Sequence, residues 1–269
     1  MSEPPTAIPE RTARETASEW CAYEAAETAK WGEYFADAAE GHGQEHQNQL
    51  WWWLSDRDTL DILRPWVVNI PIRTVLEAGC GSGGSTVRVM EHFGLEHASL
   101  LDLSENALRY ARTLVPPKQE DRFTFLQGSA FDLPFSDGIF DLTWNVGVVE
   151  HYPLPAIGQM VREMVRVTKP GGIVVIGIPN RSSIATLKAW LLGTTFGRAF
   201  LKFVPGYRFD TEILYRTQEL KSLCERECNV RAELGFAGSI LWVGAPVWLV
   251  RACDAWGILQ RHKFLVYLI

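Results

Sequence analysis

Four glycines within six positions follow a short apolar run and an acid, and no other stretch of the chain has residue types and spacing so well suited to chemistry. Residues 75–86 read Val-Leu-Glu-Ala-Gly-Cys-Gly-Ser-Gly-Gly-Ser-Thr. Glycines let a backbone approach a ligand closely, and the first turn of a following helix offers unpaired N–H groups. We therefore expect a strand, a ligand-binding loop and a helix here, with an anionic or nucleotide-like ligand at the loop.

The spacing of the loop fits two classes of nucleoside cofactor. Gly79, Gly81 and Gly84 give the G-x-G-x-x-G spacing of a dinucleotide site. The E-x-G-x-G-x-G spacing of an S-adenosylmethionine (SAM) site is given equally well by Glu77, Gly79, Gly81 and Gly83. The loop alone therefore leaves both cofactors open.

Asp102 is a second candidate binding residue, because it ends a second predicted strand 23 residues beyond Gly79. A carboxylate there suits the two hydroxyl groups of a ribose, which both cofactors contain.

The elements that must position these residues alternate from residue 72 to about 178, as in a parallel sheet covered on both faces. The predicted strands are 73–77, 98–102, 123–127, 139–145 and 172–178, with helices at 84–94, 105–114 and 156–168 between them and Ser104 as a helix cap. Lys169–Gly172 is expected to end the last of these helices. Further helices are predicted at 182–203 and 217–225, and strands at 230–236 and 262–269.

Composition is that of a globular protein with room for one large core. The 269 residues are 47% hydrophobic and 22% charged, with a net charge of −6 and no block of basic residues. This balance argues against binding to nucleic-acid phosphates. The five cysteines have no framework spacing, and no signal peptide or membrane-spanning run is visible, so we expect a cytoplasmic protein without a transmembrane segment.

Five further segments follow the glycine loop in a specific order and spacing. They are Leu101–Ser104, Gly128–Phe135, Phe140-Asp141, Val149–His151 and Lys169–Gly172. Together with the loop they resemble the class I SAM-dependent methyltransferases, in the branch of ubiquinone and menaquinone biosynthesis enzymes and small-molecule methyltransferases. The resemblance is close over about 72–180, and it favours SAM as the cofactor.

The resemblance implies a Rossmann-like seven-stranded sheet, mostly parallel, with helices on both faces, an antiparallel last strand and a helical lid. The implied division is a loosely attached N-terminus (1–18), a helical lid segment (19–71), a SAM-binding core (72–180), a helical substrate-side segment (181–225) and a terminal hairpin (226–269) with an apolar insertion (238–261). That insertion is a candidate homodimer face.

The same resemblance implies SAM as cofactor and no bound metal, and it assigns the cofactor-binding residues. Gly128-Ser129-Ala130 stands where the family often has Gly-Asp-Ala, so an acid for the adenine amino group is missing, and Asp132 is a candidate replacement. The cofactor-binding candidates are Glu77, Gly79, Cys80, Gly81, Gly83, Asp102, Leu103, Ser129, Ala130, Asp132 and Asn145.

His151 and Glu150 are the candidate catalytic residues, as a base is needed where the acceptor carries a proton at neutral pH. Eleven tryptophans, mostly outside the core, suggest a pocket for a small aromatic, lipophilic or cationic acceptor. His42 and His46 have the residue type of metal ligands but no partnering cluster. The candidate pocket residues are Tyr23, Trp31, Tyr34, Trp52 and Trp53.

The predicted function is methyl transfer from SAM to an oxygen, nitrogen or carbon atom of a small molecule. Two alternatives stay open on the sequence: an NAD(P)-dependent oxidoreductase, and a non-catalytic SAM-binding relative that acts as an interaction protein.

Overall fold

The computed structural model describes residues 13–39, 49–204, 209, 211–238, 246, 248–249, 251–252, 263 and 265–269, with side chains from residue 20 in the first range and from residue 54 in the second. His42 and His46 lie outside these residues, as does most of the insertion 238–261 that we considered as a dimer face. Residues 13–18, expected to be loosely attached, form the start of the first helix.

Seven strands form one sheet in the order β3-β2-β1-β4-β5-β7-β6. The first five are parallel, and β7 runs antiparallel to both β5 and β6. This arrangement confirms the predicted Rossmann-like sheet and its antiparallel last strand. The strands are β1 (Thr74–Ala78), β2 (His97–Asp102), β3 (Phe123–Gln127), β4 (Phe140–Val146), β5 (Thr168–Pro179), β6 (Leu234–Ala237) and β7 (Leu265–Leu268).

Helices cover both faces of the sheet, because successive residues of the buried strands face opposite sides. In β1, Val75 belongs to one apolar cluster and Leu76 to the other, and neither side chain is exposed. The helices of the described residues are α1 (Ala13–Ala39), α2 (Gln49–Asn69), α3 (Gly84–Phe93), α4 (Glu105–Leu114), α5 (Leu154–Val167), α6 (Ile184–Gly193), α7 (Thr195–Phe200) and α8 (Thr217–Cys228).

Two predicted boundaries differ from the structure for local reasons. The Lys169–Gly172 segment is a bulge inside β5 and not the turn before it, since the pairing with β4 steps from Thr168 to Ile173. The helix predicted over 182–203 is divided at Thr194. This residue ends α6, and its hydroxyl accepts a hydrogen bond from the Gly197 N–H at 3.0 Å to begin α7.

The two N-terminal helices, which we expected to form one lid, occupy different places. In α2, Leu63 packs in the same apolar cluster as Val75 and Trp144 of the sheet. In α1, Phe35 packs with Tyr110 of α4, beside the loop that follows β1. α1 therefore lies over the loop at the edge where the parallel strands end, whereas α2 packs along the sheet and reaches this edge with Asp56, which pairs with Arg88 of α3. The domain boundaries themselves stay a prediction.

Candidate active site

The glycine loop after β1 is held by the neighbouring strand and has no room for a side chain at Gly79 or Gly81. The N–H groups of Gly79 and Cys80 both donate to the Leu101 carbonyl, at 2.8 and 2.9 Å. Gly79 has φ +82°, and a Cβ there would lie 2.6 Å from Cγ2 of Val148. Gly81 has φ +50°, and the Phe35 ring of α1 lies 3.0 Å from where its Cβ would be. Val148 and Phe35 therefore leave space only for glycine at these two positions. The bare loop backbone can be approached closely by a ligand.

Asp102 stands at the end of β2 with one oxygen on the loop and the other on the next helix. Its Oδ2 accepts from the Gly81 N–H and its Oδ1 from the Ser104 N–H, both at 2.8 Å. Burial raises the pKa of Asp102, while these backbone donors lower it. Since each carboxylate oxygen accepts two hydrogen bonds, both oxygens keep capacity for a pair of hydroxyl groups.

Glu77 ends β1 as a buried acid, and its Oε2 accepts from the Thr86 hydroxyl at 2.6 Å. That hydroxyl accepts in turn from Nε1 of Trp144 at 2.9 Å. Burial raises the pKa of Glu77 to about 8, and the negative charge of Asp102 adds to the rise. A buried acid of this kind is mainly protonated at neutral pH, and a cation bound beside it would favour the ionised carboxylate.

Asn145, at the end of β4, completes this side of the site. Its side-chain amide donates to the Ala78 carbonyl, whereas its Oδ1 is buried and has no hydrogen-bond partner in the described part of the chain. The unpartnered oxygen of Asn145 and the acid of Glu77 fit the ammonium group of SAM. The glycine loop fits the methionine part of the cofactor, and the carboxylate of Asp102 fits its ribose.

Helix α1 adds an acid that the sequence analysis missed. The Ser129 hydroxyl donates to the Glu24 carboxylate and accepts from the Phe131 N–H at 3.0 Å. Glu24 therefore brings a carboxylate to the place where Gly-Ser-Ala lacks one. The other candidates near this loop differ in exposure: Asp132 is exposed, Ala130 and Cys80 are buried and Leu103 is partly buried.

His151 and Glu150 lie in a one-turn 3-10 helix after β4, and both side chains are buried. Nδ1 of His151 lies 2.8 Å from the Thr211 hydroxyl, which lies 3.4 Å from the Glu27 carboxylate of α1. Burial lowers the pKa of His151, although the negative charge of Glu27 acts to raise it. Burial raises the pKa of Glu150 to about 8, and its Oε2 has no hydrogen-bond partner in the described residues.

One aromatic residue of α1, Trp31, packs against the histidine. The Trp31 ring meets the His151 ring edge-on at 5.9 Å, and Nε1 of Trp31 donates to Glu27 at 2.9 Å. Tyr23 lies 6.2 Å from Tyr152, and Tyr34 lies 5.6 Å from Trp31. Of the predicted pocket residues, Trp31 and Tyr34 are in contact with each other, and Tyr23 lies apart from them against Tyr152. The side chains of Trp52 and Trp53 lie outside the described ones.

This site lies in a part of the chain that is similar to known methyltransferases. Residues 76–176 match the family described as "Methyltransferase domain". The demethylmenaquinone methyltransferase of Listeria monocytogenes is 30% identical over 171 residues, which are 61% of this chain and 69% of that protein. The chain belongs to the SAM-dependent methyltransferases.

Two further similarities agree with this assignment. The 2-methyl-6-phytyl-1,4-hydroquinone methyltransferase of Synechocystis is 36% identical over 41% of this chain, and the match spans about a third (33%) of that protein. The structure of the magnesium protoporphyrin IX methyltransferase of Synechocystis was solved with bound S-adenosylhomocysteine (SAH). It superposes on this chain with a TM-score of 0.51 and 15% identity, over 78% of this chain and 80% of that protein. The last similarity shows the fold alone.

The cofactor of this methyltransferase is therefore SAM, and the alternative of an NAD(P)-dependent oxidoreductase is set aside. No helix among the described residues is long and apolar enough to cross a membrane. The sequence analysis missed Glu24, Glu27 and Thr211, because they lie far along the chain from the motifs that they contact. The sequence signal for the two acids is the acidic and aromatic character of α1, and Thr211 has none.

Proposed function

We propose that this methyltransferase transfers the methyl group of SAM to a small lipophilic phenol or hydroquinone. The observation that carries the proposal is the linked group of His151, Thr211 and Glu27, in which the histidine and the acid are buried, beside Trp31 of α1. The names of the hydroquinone and demethylmenaquinone methyltransferases support this acceptor class.

Cofactor binding is assigned to three strand ends and one helix. We assign the ribose hydroxyls to Asp102, and the ammonium group to Glu77 with the unpartnered Oδ1 of Asn145. Glu24, held on Ser129, is assigned to the adenine amino group in place of the acid absent from the loop. The glycines let the loop backbone pass under the ligand.

His151 is the proposed base. When its Nδ1 carries the hydrogen and donates to Thr211, its Nε2 is left to accept a proton, and Glu27 stabilises the imidazolium that forms. Glu150 suits this role less well, because an acid with a pKa of about 8 is mainly protonated at neutral pH.

The bound cofactor supplies an electrophilic methyl group on a positively charged sulfur. His151 takes the hydroxyl proton of the acceptor. Loss of this proton would leave the acceptor oxygen, or the ring carbon next to it, as the nucleophile for that methyl group, and a methylated ring carbon would afterwards have to give up its own hydrogen. Aromatic side chains at the site orient the acceptor ring and exclude water.

A panel of acceptors with methyl-labelled SAM tests this proposal. We expect label on a hydroquinone that carries an isoprenoid chain, and little on the same compound in its quinone form or on an alkaloid amine. His151→Gln is expected to lower kcat by about 10²–10⁴-fold with little change in SAM affinity. Labelling of the amine alone, or full activity of His151→Gln, would contradict the proposal.

A pH profile separates the two candidate bases. The pKa of His151 is lowered, with Glu27, Glu212 and Lys30 as the charged groups that face it. We therefore expect activity to be flat at neutral pH and to fall below about pH 6.5. An acid limb centred near pH 8 would point to Glu150 as the base instead.

A further inference from the structure

Helices α6 and α7 expose a row of large apolar side chains, which we call the α6–α7 surface. Phe203, just after α7, is 85% exposed, and Phe200 is 72% exposed. The rings of Phe196 and Phe200 lie 5.1 Å apart. Monomeric globular proteins seldom leave such a row of aromatic and aliphatic side chains in water. The surface consists of Ile184, Leu187, Trp190, Phe196, Phe200 and Phe203.

The other face of α6 already packs on the protein. Ala185 and Ala189 belong to the apolar cluster on one side of the sheet, and Leu192 is buried as well. A helix that is apolar on both its inner and outer faces is normally buried on both. We therefore expect the outer face of α6 to be covered by a second apolar surface.

Charge indicates what that environment is. Although the chain has a net charge of −6, residues 181–209 contain no acid and five bases. Nζ of Lys202 lies 5.0 Å from the Phe203 ring centre, and Nε of Arg198 donates to the Gly193 carbonyl at 2.8 Å. Basic residues interleaved with Trp, Phe and Leu are typical of segments that lie in the interface of an anionic membrane. The five bases are Arg181, Lys188, Arg198, Lys202 and Arg208.

The α6–α7 surface is joined directly to the candidate active site. α6 follows β5 at the edge where the parallel strands end. The Phe209 N–H donates to the Ala189 carbonyl of α6 at 3.3 Å, and two residues later Thr211 contacts His151. The segment after α7 therefore connects α6 with the residue that contacts the proposed base.

We propose that the α6–α7 surface docks on an anionic lipid bilayer, with its aromatic side chains in the interface and its bases at the lipid headgroups. Docking in this way brings the candidate active site to the membrane in which a lipophilic acceptor is dissolved. This last consequence rests on the proposed function, whereas the docking itself needs no acceptor.

Vesicle sedimentation of the full chain tests the docking. We expect binding to phosphatidylcholine vesicles that contain phosphatidylglycerol, much weaker binding to phosphatidylcholine alone, and loss of binding at high salt. Phe200→Ser with Phe203→Ser is expected to lower the partition coefficient by about tenfold or more. Val68→Ser in α2, at a residue that is 75% exposed outside the surface, is the matched control and should bind as the wild type does.

Two further readouts make the result decisive. SAH affinity by calorimetry shows that the variants are folded, and light scattering reports the oligomeric state. Absence of binding to either vesicle, or binding that the double variant retains, overturns the proposal. So does a wild-type dimer that the double variant converts to monomers without any lipid binding, since the surface would then join two copies. Binding without methylation of any hydroquinone would leave the docking intact and contradict the proposed function instead.

Discussion

Glu77 and Asp102 end neighbouring strands, and their carboxyl groups meet different surroundings. Asp102 is held by backbone donors on both oxygens, whereas Glu77 accepts from the single hydroxyl of Thr86 in a fully buried position. The pKa of Glu77 is therefore raised to about 8. A cation bound beside Glu77 stabilises its ionised form and must release the proton.

Proton release on SAM binding tests this role of Glu77. Titrations at pH 7 in buffers of different ionisation enthalpy should show release of about one proton per site in the wild type. Glu77→Gln, whose amide oxygen still accepts from Thr86, should bind SAM more weakly and release almost none. Glu120→Gln, at an exposed acid, should behave as the wild type does. Equal release from Glu77→Gln would remove Glu77 from the ammonium site.

Glu24 is the second residue whose role is testable at this scale. Glu24→Gln should weaken SAH binding by about 1–3 kcal/mol, because a charge-assisted bond to the adenine amino group is lost. An analogue with hypoxanthine in place of adenine should bind Glu24→Gln and wild type alike. Glu33→Gln, at an exposed acid of the same helix, is the control. A larger loss in Asp132→Asn than in Glu24→Gln would transfer the role to Asp132.

Helix α1 is the element that joins the cofactor side of the site to the acceptor side. Phe35 lies over Gly81, Glu24 bonds Ser129, and Glu27 reaches Thr211 beside His151. Two apolar side chains attach it to the rest of the protein: Phe35 in the small cluster with α4, and Trp20 in the larger cluster that includes Phe131. A helix attached in this way can open without unfolding of the sheet.

Hydrogen exchange of Phe35→Ala tests that attachment. Removal of this buried ring should increase amide exchange across α1 while exchange in β1 and β4 stays slow, because the sheet has its own core. SAH affinity should fall with it. Asp37→Ala, at an exposed residue of the same helix, is the control. Uniformly faster exchange in helix and sheet would show that α1 is part of one cooperative core.

Local sequence determines the elements that the motif analysis predicted well. The five parallel strands, the Ser104 cap and the glycine loop follow from short runs of residues, and all of them are found. The Lys169–Gly172 bulge and the break at Thr194 depend on pairing with β4 and on a side-chain cap. Glu24 and Glu27 reach the site only through the packing of α1, so nothing near the glycine loop could indicate them.

The whole molecule carries several buried acids, and their protonation links its stability to pH. The pKa values of Glu77 and Glu150 are raised to about 8 from 4.5. The folded chain thus keeps protons that the unfolded chain loses, so the free energy of unfolding falls as pH rises from about 4.5 to about 8. The pKa of His151 is lowered. Its contribution to the free energy of unfolding therefore rises as pH rises towards about 6.5.

Denaturant unfolding of the cofactor-free protein between pH 6.5 and 8 isolates the acids. We expect the wild type to lose about 1–3 kcal/mol over this range. The double variant Glu77→Gln with Glu150→Gln should lose much less, since amides do not titrate. Stability that rises with pH in the wild type, or an equal loss in the double variant, would show that these acids are ionised in the folded chain.

Calorimetric titration with SAM is the most direct test of the central claim that the loop after β1 and Asp102 hold this cofactor. The wild type should bind SAM and not NAD, and Asp102→Ala should bind SAM more weakly by about 1–3 kcal/mol. Asp121→Ala, at an exposed acid, should leave the affinity unchanged. Equal SAM affinity in Asp102→Ala and wild type, or binding of NAD in its place, would contradict the account.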